Sequence, residues 1–298
     1  MEPRELIPPV PESQVAACAV VALTTAYSAP TPGTGSRYMD GAVAHEKRLL
    51  TVTPVGEALA DAGRRSVGET VLQAVLSSRN LAGFADVRAA GYLVPLARAA
   101  LLGEPVGRVL SRLGADEISP FATALETAGD RGPLAGALEM AQQAGKETTL
   151  RDAVRFASGR DPLAHEYAKS YEITGQLARP ALLSALSRAG SARAALVQSY
   201  LEVLSEVPDL DVVERAGRRE AEDVSRMAHG VLKAGGVFSG RGLQGVANLE
   251  GMLRDDPRLA PSGTEPPIIA AAFLTTMEYG VDSLTGQLRP ATGGNRGR

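Results

Sequence analysis

The sequence predicts an all-α protein, a single globular domain of about a dozen helices. Apolar residues recur at steps of three and four in nearly every segment between prolines and glycines, which is the spacing of one helical face. Alanine, leucine, arginine and glutamate, all strong helix formers, are abundant, whereas alternating β-branched residues are scarce. Aromatic residues make up only 4% of the chain and tryptophan is absent, so alanine, leucine and valine must form most helix contacts. We predict no strand and no repeat of fixed length.

The predicted domain covers residues 12–280. An N-terminal extension precedes it at 1–11, and a flexible tail follows at 281–298. The last ten residues of the tail, RPATGGNRGR, are basic and rich in glycine, which is typical of a frayed terminus. No linker is long enough to require a second domain.

Prolines and glycines divide the first half of the chain into helices. Residues 12–28 are nearly all apolar after Pro11 and Ser13, so they predict a buried helix in which Cys18 is a small core residue. Glu69 follows Ser66 by three residues, which predicts a capping box at the start of the helix SVGETVLQAVLSSR. The other helices predicted in this half span residues 41–63, 87–102, 104–113, 117–128, 132–145 and 148–158.

The second half of the chain continues the same helical periodicity. The stretch GRGLQGVANLEG contains four glycines, and we interpret its start as a plain turn between two helices. The helices predicted in this half span residues 162–174, 176–188, 191–206, 211–234, 239–254 and 265–280.

Charge and composition exclude several classes of protein. The net charge is −3 and no long basic run occurs, so the electrostatic signature of a nucleic-acid-binding protein is missing. The apolar runs VAACAVVALTTA and IIAAAFLTTM are too short to span a bilayer, and the residues before the first are acidic, unlike those of a signal peptide. The single cysteine excludes a disulfide within the chain. We therefore expect a soluble, cytoplasmic protein with no nucleic-acid or membrane partner.

No short motif identifies a chemistry by itself. His45, His165 and His229 stand alone, so the paired histidines of a zinc protease are missing. Asp161 and Glu166 are not spaced to share a helical face cleanly, and solvated carboxylates are the simpler interpretation. The stretch SAPTPGTGS at 28–36 allows two interpretations, a loop that holds phosphate or a turn that ends a helix.

Six segments, in the same order along the chain, match the sequence patterns of one enzyme family. The first, AYSAPTPGTG at 26–35, corresponds to the pattern EVTxxPKPGNV. The second, SVGETVLQAV at 66–75, corresponds to SVGELILEAV. The third, AGFADVRAAGYLVPLARAA at 82–100, corresponds to GGNTNLGxxLLLAPLAAA.

The last three segments lie in the second half of the chain. DPLAHEYAKSYE at 161–172 corresponds to DxVAxxYxxxFE, and PDLDVVERAGRREAEDVSRMA at 208–228 corresponds to PDTLIARKxGxxxAxxVSxxA. PSGTEPPIIAAAFL at 261–274 corresponds to NPGTTADLxAAAxF. Over residues 12–280 the chain therefore resembles the triphosphoribosyl-dephospho-CoA synthases.

This resemblance implies an all-α enzyme that condenses ATP with dephospho-CoA to make the precursor of an acyl-carrier prosthetic group. It implies ATP and Mg²⁺ as the nucleotide and the metal, and it assigns no metal ligand. The residues that it implies for catalysis are Asp86, Asp161 and Glu172. The residues that it implies for binding are Pro32, Gly33, Arg37, Glu69, Arg88, Tyr167, Arg215, Gly263 and Thr264.

The chain also departs from the family at positions that carry charge or polarity. Ala26 and Thr31 stand in place of a Glu and a Lys, and Pro267 stands in place of an Asp. Moving a triphosphate requires cations, so these changes predict a cleft that keeps its shape and has lost phosphate-neutralising groups. The remaining departures are Phe84, Ala85 and Asp86 for Asn, Thr and Asn, and Glu214 with Arg215 for Arg and Lys.

Three functions follow from this pattern. The first is a divergent transferase that acts on a nucleotide or phosphorylated cofactor precursor, for example in a pterin, tetrahydromethanopterin or one-carbon cofactor pathway. The second is the family's own ATP:dephospho-CoA reaction. The third is a pseudoenzyme, a binding or scaffold protein that retains the fold. In each case the expected partner is a small molecule, and a homo-oligomer is left open.

Overall fold

The computed structural model describes residues 9–36, 43–144 and 148–284. Within these ranges the chain is one compact helical domain without strands, as the sequence predicts. None of its helices is both long and apolar enough to cross a lipid bilayer. The α-helices are α1 Glu12–Tyr27, α2 His45–Leu50, α3 Val52–Ala60, α4 Val67–Ala82, α5 Val87–Leu102, α6 Val106–Ser111, α7 Ile118–Ala128, α8 Pro133–Ala144, α9 Leu150–Ala157, α10 Pro162–Ala168, α11 Arg179–Leu186, α12 Ala192–Glu206, α13 Leu210–Ala216, α14 Arg218–Lys233, α15 Gly240–Asp255 and α16 Glu265–Tyr279.

Helices α1, α3, α5 and α16 pack together at the centre of the core. Helix α1 buries Ala19 and Ala22, and α16 buries Ala270, Ala271 and Ala272. Such small side chains let helix backbones approach closely, which suits a chain with few aromatic residues. Cys18 is 1% exposed, so the predicted burial of α1 and of its cysteine is confirmed.

The continuous helix predicted for residues 41–63 is wrong over the part that the structure describes. At Thr51, between α2 and α3, the backbone keeps right-handed helical angles (φ −78°, ψ −15°), but its amide bonds the Arg48 carbonyl, three residues back instead of four. The Thr51 hydroxyl donates to the Arg48 carbonyl at 2.7 Å and ends α2. Pro54 lies in the first turn of α3, where the proton missing from its nitrogen costs no helical hydrogen bond. The proline was a visible signal of a helix start.

The helix predicted for residues 211–234 is also divided. Gly217 has φ +112° and separates α13 from α14. A backbone in this region favours glycine, because a Cβ would meet steric strain.

Helix α10 ends at Ala168, short of the predicted residue 174. Ser170 and Tyr171 adopt positive φ angles, and a π-helical turn at Thr174–Ala178 leads into α11. The buried Glu166 carboxylate accepts the amides of Ile173 and Thr174 at 2.8 and 3.1 Å, which fixes this turn.

Parts of the predicted extension and tail are packed. The Val10 amide donates to the Ala100 carbonyl at 2.9 Å. Residues Val281–Leu284 form a 3₁₀ turn in which Leu284 is 3% exposed. The packed chain therefore continues past residue 280, and most of the predicted tail lies outside the described residues.

Three aspartates cap helices that begin in one region of the domain. Asp86 accepts the Ala89 amide at the start of α5, and Asp161 accepts the Leu163 and Ala164 amides at the start of α10. An aspartate at this position satisfies otherwise unpaired amides and favours the positive end of the helix dipole.

The third capping aspartate, Asp209, joins α13 to α16. It accepts the Asp211 and Val212 amides, and its other oxygen accepts the Thr264 hydroxyl at 2.8 Å. A Cβ on neighbouring Gly263 would lie 2.5 Å from Pro162 at the start of α10. Three helix starts thus meet without room for a larger residue. Burial and the nearby Asp211 carboxylate raise the pKa of Asp209 to about 6.

We expect Asp209→Asn to remove part of the pH dependence of stability. The pKa of Asp209 is about 6 in the folded protein and about 3.9 in an unfolded chain, so the folded state binds more protons between these values. The free energy of unfolding of the wild type therefore falls by about 2 kcal/mol through this group as pH rises across that window. Asparagine does not titrate, so the variant gains stability relative to the wild type over the same window, measured by urea unfolding.

Asp152→Asn is the control for this experiment. Thr149 lowers the pKa of Asp152 by donating hydrogen bonds from its hydroxyl and amide. That group adds stability as pH rises, so its removal shifts the relative stability in the opposite direction. A stability difference between Asp209→Asn and the wild type that is the same at pH 4 and pH 7 contradicts the prediction.

Candidate functional site

A cleft of about 910 Å³ lies where the starts of α5 and α16 meet the loop after α1. Its walls come from that loop, the start of α5, the end of α7, the second half of α15 and the start of α16. Ligand sites in proteins enclose about 300–1,000 Å³, so the cleft can hold a nucleotide. Five arginines line it: Arg48, Arg88, Arg131, Arg215 and Arg254.

The loop at 28–36 ends α1 and also presents a backbone amide to an anion. Gly33 has φ +79°, and its amide donates to the Glu250 carboxylate at 2.7 Å. The Tyr200 hydroxyl donates to the Pro32 carbonyl at 2.8 Å and holds the loop from below. The stretch therefore forms the turn that ends α1, and its interpretation as a loop that holds phosphate stays a prediction.

Arg48 on α2 holds the same loop from the other side. Its guanidinium lies 4.0 Å from the centre of the Tyr27 ring and donates to the Gly35 carbonyl at 3.3 Å. It also bonds the Glu265 carboxylate at 2.6 Å. Burial alone would lower the pKa of Arg48, but Glu265, Tyr27 and Asp86 outweigh it and raise that pKa. Arg48 stays charged although it is only 5% exposed.

Glu265 in the first turn of α16 has one engaged oxygen and one unengaged oxygen. Oε2 accepts from Arg48, whereas Oε1 is buried and has no hydrogen-bond partner in the part of the chain that the structure describes. Burial raises the pKa of Glu265, and Arg48 opposes that shift. An unpaired buried oxygen is costly, so Oε1 is a candidate position for a ligand or metal contact.

Arg88 connects the start of α5 to two other segments. Its Nε donates to Asp130 at 3.0 Å, in the turn between α7 and α8, and its Nη1 bonds Asp211 on α13. Asp211 also accepts from the Ser262 hydroxyl at 2.6 Å. The buried Asp161 lies near Arg88, and burial raises the pKa of Asp161 despite that cation.

Two of the five arginines keep their charge available. Arg131 is exposed and forms no ion pair within the described ranges. Arg215 donates to the carbonyls of Asp211 and Ala260 and to the Ser262 hydroxyl, none of them a carboxylate. The expectation of a cleft stripped of cations is therefore wrong. Three arginines are matched by carboxylates and two remain to face an anionic ligand.

The structure brings several predicted site residues together. Gly33, Asp86, Arg88 and Arg215 line the cleft. Ser262 and Glu265 also line the cleft, and Gly263 and Thr264 lie between them in the sequence. The hydrogen bond from Thr264 to Asp209 holds this segment in place. The Pro32 carbonyl is turned to Tyr200 behind the loop.

Other predicted site residues lie elsewhere. Glu172 lines a separate groove of about 870 Å³ that shares no lining residue with the cleft. Glu69 closes the predicted capping box of α4, and the Tyr167 hydroxyl donates to the Gly91 carbonyl at 2.7 Å. Asp161 caps α10 and does not line the cleft. Arg37 lies outside the described residues.

Most of the charged residues at the cleft were not predicted from the sequence. Asp211, which pairs with the cleft residue Arg88, lies within the matched segment at 208–228, where its spacing from Asp209 was the available signal. Glu265 lies within the last matched segment, two residues before Pro267. The residues missed without any motif to mark them are Arg48, Asp130, Arg131, Glu250 and Arg254.

No group of three or more His, Cys, Asp or Glu with metal-binding geometry occurs in the described part of the chain. Mg²⁺ at nucleotide sites commonly uses one or two carboxylates together with substrate phosphates and water. Asp86 and Glu265 lie 3.9 and 2.6 Å from the same Arg48 nitrogen. Both Asp86 oxygens already accept hydrogen bonds, so of these two carboxylates only Glu265, through Oε1, has an oxygen left for a metal that arrives with the nucleotide.

Comparison with known proteins identifies one family and one similar fold. Residues 12–283 match the family described as ATP:dephospho-CoA triphosphoribosyl transferase. The fold is similar to the crystal structure of a candidate triphosphoribosyl-dephospho-CoA synthase from Archaeoglobus fulgidus, with a TM-score of 0.58 and 22% identity. That similarity covers 81% of this chain and 100% of the other. No curated protein matches the sequence.

The family match begins with α1 and ends in the 3₁₀ turn after α16. It includes every segment that lines the cleft. The structural similarity supports the shared fold alone, since the identity of the two sequences is low. The match over nearly the whole chain shows that this protein belongs to the ATP:dephospho-CoA triphosphoribosyl transferase family.

Proposed function

We propose that this protein is a transferase that uses ATP to modify a phosphorylated cofactor precursor in the cleft. The observation that carries the proposal is the convergence of four matched segments on one cleft, through Gly33, Asp86, Arg215 and Ser262. Residues so far apart in sequence share one ligand-sized space only because the fold gathers them.

The free cations of the cleft suit a triphosphate. Arg131 and Arg215 lack carboxylate partners, and guanidinium groups bind phosphate oxygens through paired, charge-assisted hydrogen bonds. Mg²⁺ bound with the nucleotide at Glu265 would neutralise further phosphate charge. These groups would supply the positive charge that the family pattern supplies with a lysine at the position of Thr31.

In the family reaction, one bond to C1′ of the ATP ribose forms and another breaks. A hydroxyl oxygen of the acceptor attacks C1′ of the ATP ribose, the C1′–N9 bond breaks, and adenine leaves. The hydroxyl proton passes to a carboxylate of the cleft, for which Asp86 is the candidate, and adenine takes up a proton as it departs. Asp86 is held for this role by the Tyr27 hydroxyl, which donates to it at 2.9 Å.

A divergent acceptor is the second candidate, and one observation favours it. Phe84 and Ala85 line the cleft where the family pattern has asparagine and threonine. Their apolar side chains remove two hydrogen-bonding groups, which alters the discrimination between substrates. Phosphorylated pterins and one-carbon cofactor precursors therefore belong in the substrate screen. A cytoplasmic location and a homo-oligomeric state stay predictions.

We expect the protein to release adenine from ATP when dephospho-CoA and Mg²⁺ are present. Chromatographic detection of adenine measures the cleaved C1′–N9 bond directly, and mass spectrometry of the acceptor measures the gain of the transferred unit. Omission of dephospho-CoA or chelation of Mg²⁺ abolishes release. Adenine release with another acceptor and none with dephospho-CoA supports the divergent candidate.

A thermal-melting experiment separates these enzymes from a scaffold protein. A ligand that binds only the native state raises the melting temperature. If no nucleotide, CoA fragment or pterin raises it and no adenine forms, the transferase proposal fails.

We expect Arg131→Ala to weaken ATP binding about tenfold, because one charge-assisted hydrogen bond contributes about 1.5–3 kcal/mol. Arg131 is exposed, so its loss should leave folding intact. Titration calorimetry with ATP measures the change. Arg219→Ala is the matched control, since Arg219 is exposed and lines neither this cleft nor its neighbour. Equal affinities of both variants for ATP would contradict the assigned role.

A further inference from the structure

A second cleft, of about 580 Å³, adjoins the first. The two clefts share Arg88, Arg131, Arg215 and Ser262 as a common wall. The wall contains both arginines that lack carboxylate partners, and Asp211, which pairs with Arg88, lines the second cleft alone. Ligands in the two clefts would therefore lie on either side of the same cations.

Helix α8 forms an open side of this second cleft. Pro133, Gly136, Ala137 and Met140 recur at the spacing of one helical face and all line it. A Cβ built on Gly136 would meet no atom within 4 Å. The small residues of this face leave space that a larger side chain could fill.

The outer edge of the second cleft is apolar. Phe156 on α9 is 69% exposed and Met140 is 50% exposed. Phe156 is the only aromatic residue among the exposed large apolar side chains in the described ranges. An exposed ring at a cleft edge offers a stacking surface for a planar base.

The positive charges of this cleft that lack a carboxylate partner lie in the shared wall. Arg160 is matched by Glu214, through two contacts of 2.9 and 2.7 Å. Arg131 and Arg215, in the wall itself, have no carboxylate partner. A ligand with an anionic part at the wall and a planar part at Phe156 is complementary to this arrangement.

We propose that the second cleft binds the acceptor of the transfer, a nucleotide that carries a diphosphate, with its base on Phe156 and its diphosphate at Arg131 and Arg215. This inference rests on the proposed transferase function. A transferase must hold two substrates with their reacting atoms close together, and two clefts that share one cationic wall provide that proximity. The ATP phosphates and the acceptor diphosphate would then be neutralised by one set of arginines.

The absence of tryptophan from the chain allows a local test. Phe156→Trp keeps an aromatic ring in place and creates a single tryptophan whose fluorescence reports on the second cleft. Titration with dephospho-CoA should change this emission saturably. Leu76→Trp is the control, because Leu76 is 47% exposed and lines neither cleft, and its emission should not respond.

Gly136→Leu tests the cleft sterically. Leucine favours a helix more than glycine does, so the variant should fold, while its side chain occupies the space along α8. Placed in the Phe156→Trp protein, it should weaken dephospho-CoA binding at least about tenfold. Its affinity for ATP, measured by calorimetry, should stay within about twofold of the parent, since Gly136 does not line the first cleft.

The outcomes separate this inference from the proposed function. If ATP binds and adenine is released while the tryptophan at position 156 does not respond to dephospho-CoA, the acceptor cleft is overturned and the transferase stands. If dephospho-CoA changes the emission and Gly136→Leu weakens it, the cleft is supported even where ATP fails to bind. An equal response in the Gly136→Leu protein, or a response at position 76, overturns the acceptor cleft.

Discussion

The fold depends on satisfying the unpaired amides and the positive dipole ends of several helices that begin in one small region. Helices α5, α10 and α13 begin at Asp86, Asp161 and Asp209, and α16 begins at Thr264, which is bonded to Asp209. Each start presents unpaired amides and the positive end of a dipole. Capping carboxylates satisfy both at once, and one of them, Asp86, also adds negative charge to a cleft whose proposed ligands are anionic.

The positive charge of Arg88 balances the negative charge of several aspartates near these helix starts. One guanidinium lies among Asp130, Asp161 and Asp211 and holds the α7–α8 turn and α13 against α5. Burial alone would lower the pKa of Arg88, but these carboxylates raise it. Removing a buried partner from such a network leaves uncompensated charge, which is strongly destabilising. Arg88 therefore serves the fold as well as the wall between the two clefts.

The sequence predicted the fold well because helix periodicity and caps are local properties. Helix α5 matches its predicted bounds, and the capping box of Ser66 and Glu69 is present. The errors in helix continuity fall at Thr51, Gly217 and Ser170. Pro54 and Gly217 were visible signals, but the left-handed backbone at Ser170 depends on Glu166 binding amides seven and eight residues later. Such a contact can be evaluated only once the chain path is known.

The site was harder to predict because charge in a cleft is determined by position in space. Thr31 has no cation, yet the cleft contains Arg131 and Arg215, two arginines without carboxylate partners in the described part of the chain. Pro267 has no carboxylate, yet Glu265 lies one half-turn earlier on α16 and lines the cleft. A motif comparison scores each position separately, so it records the loss of a lysine at Thr31 and of an aspartate at Pro267. Folding brings other charged side chains to the same cleft, so the charges of two relatives should be compared over the whole lining of the cleft, with the aligned residue as only a first guide.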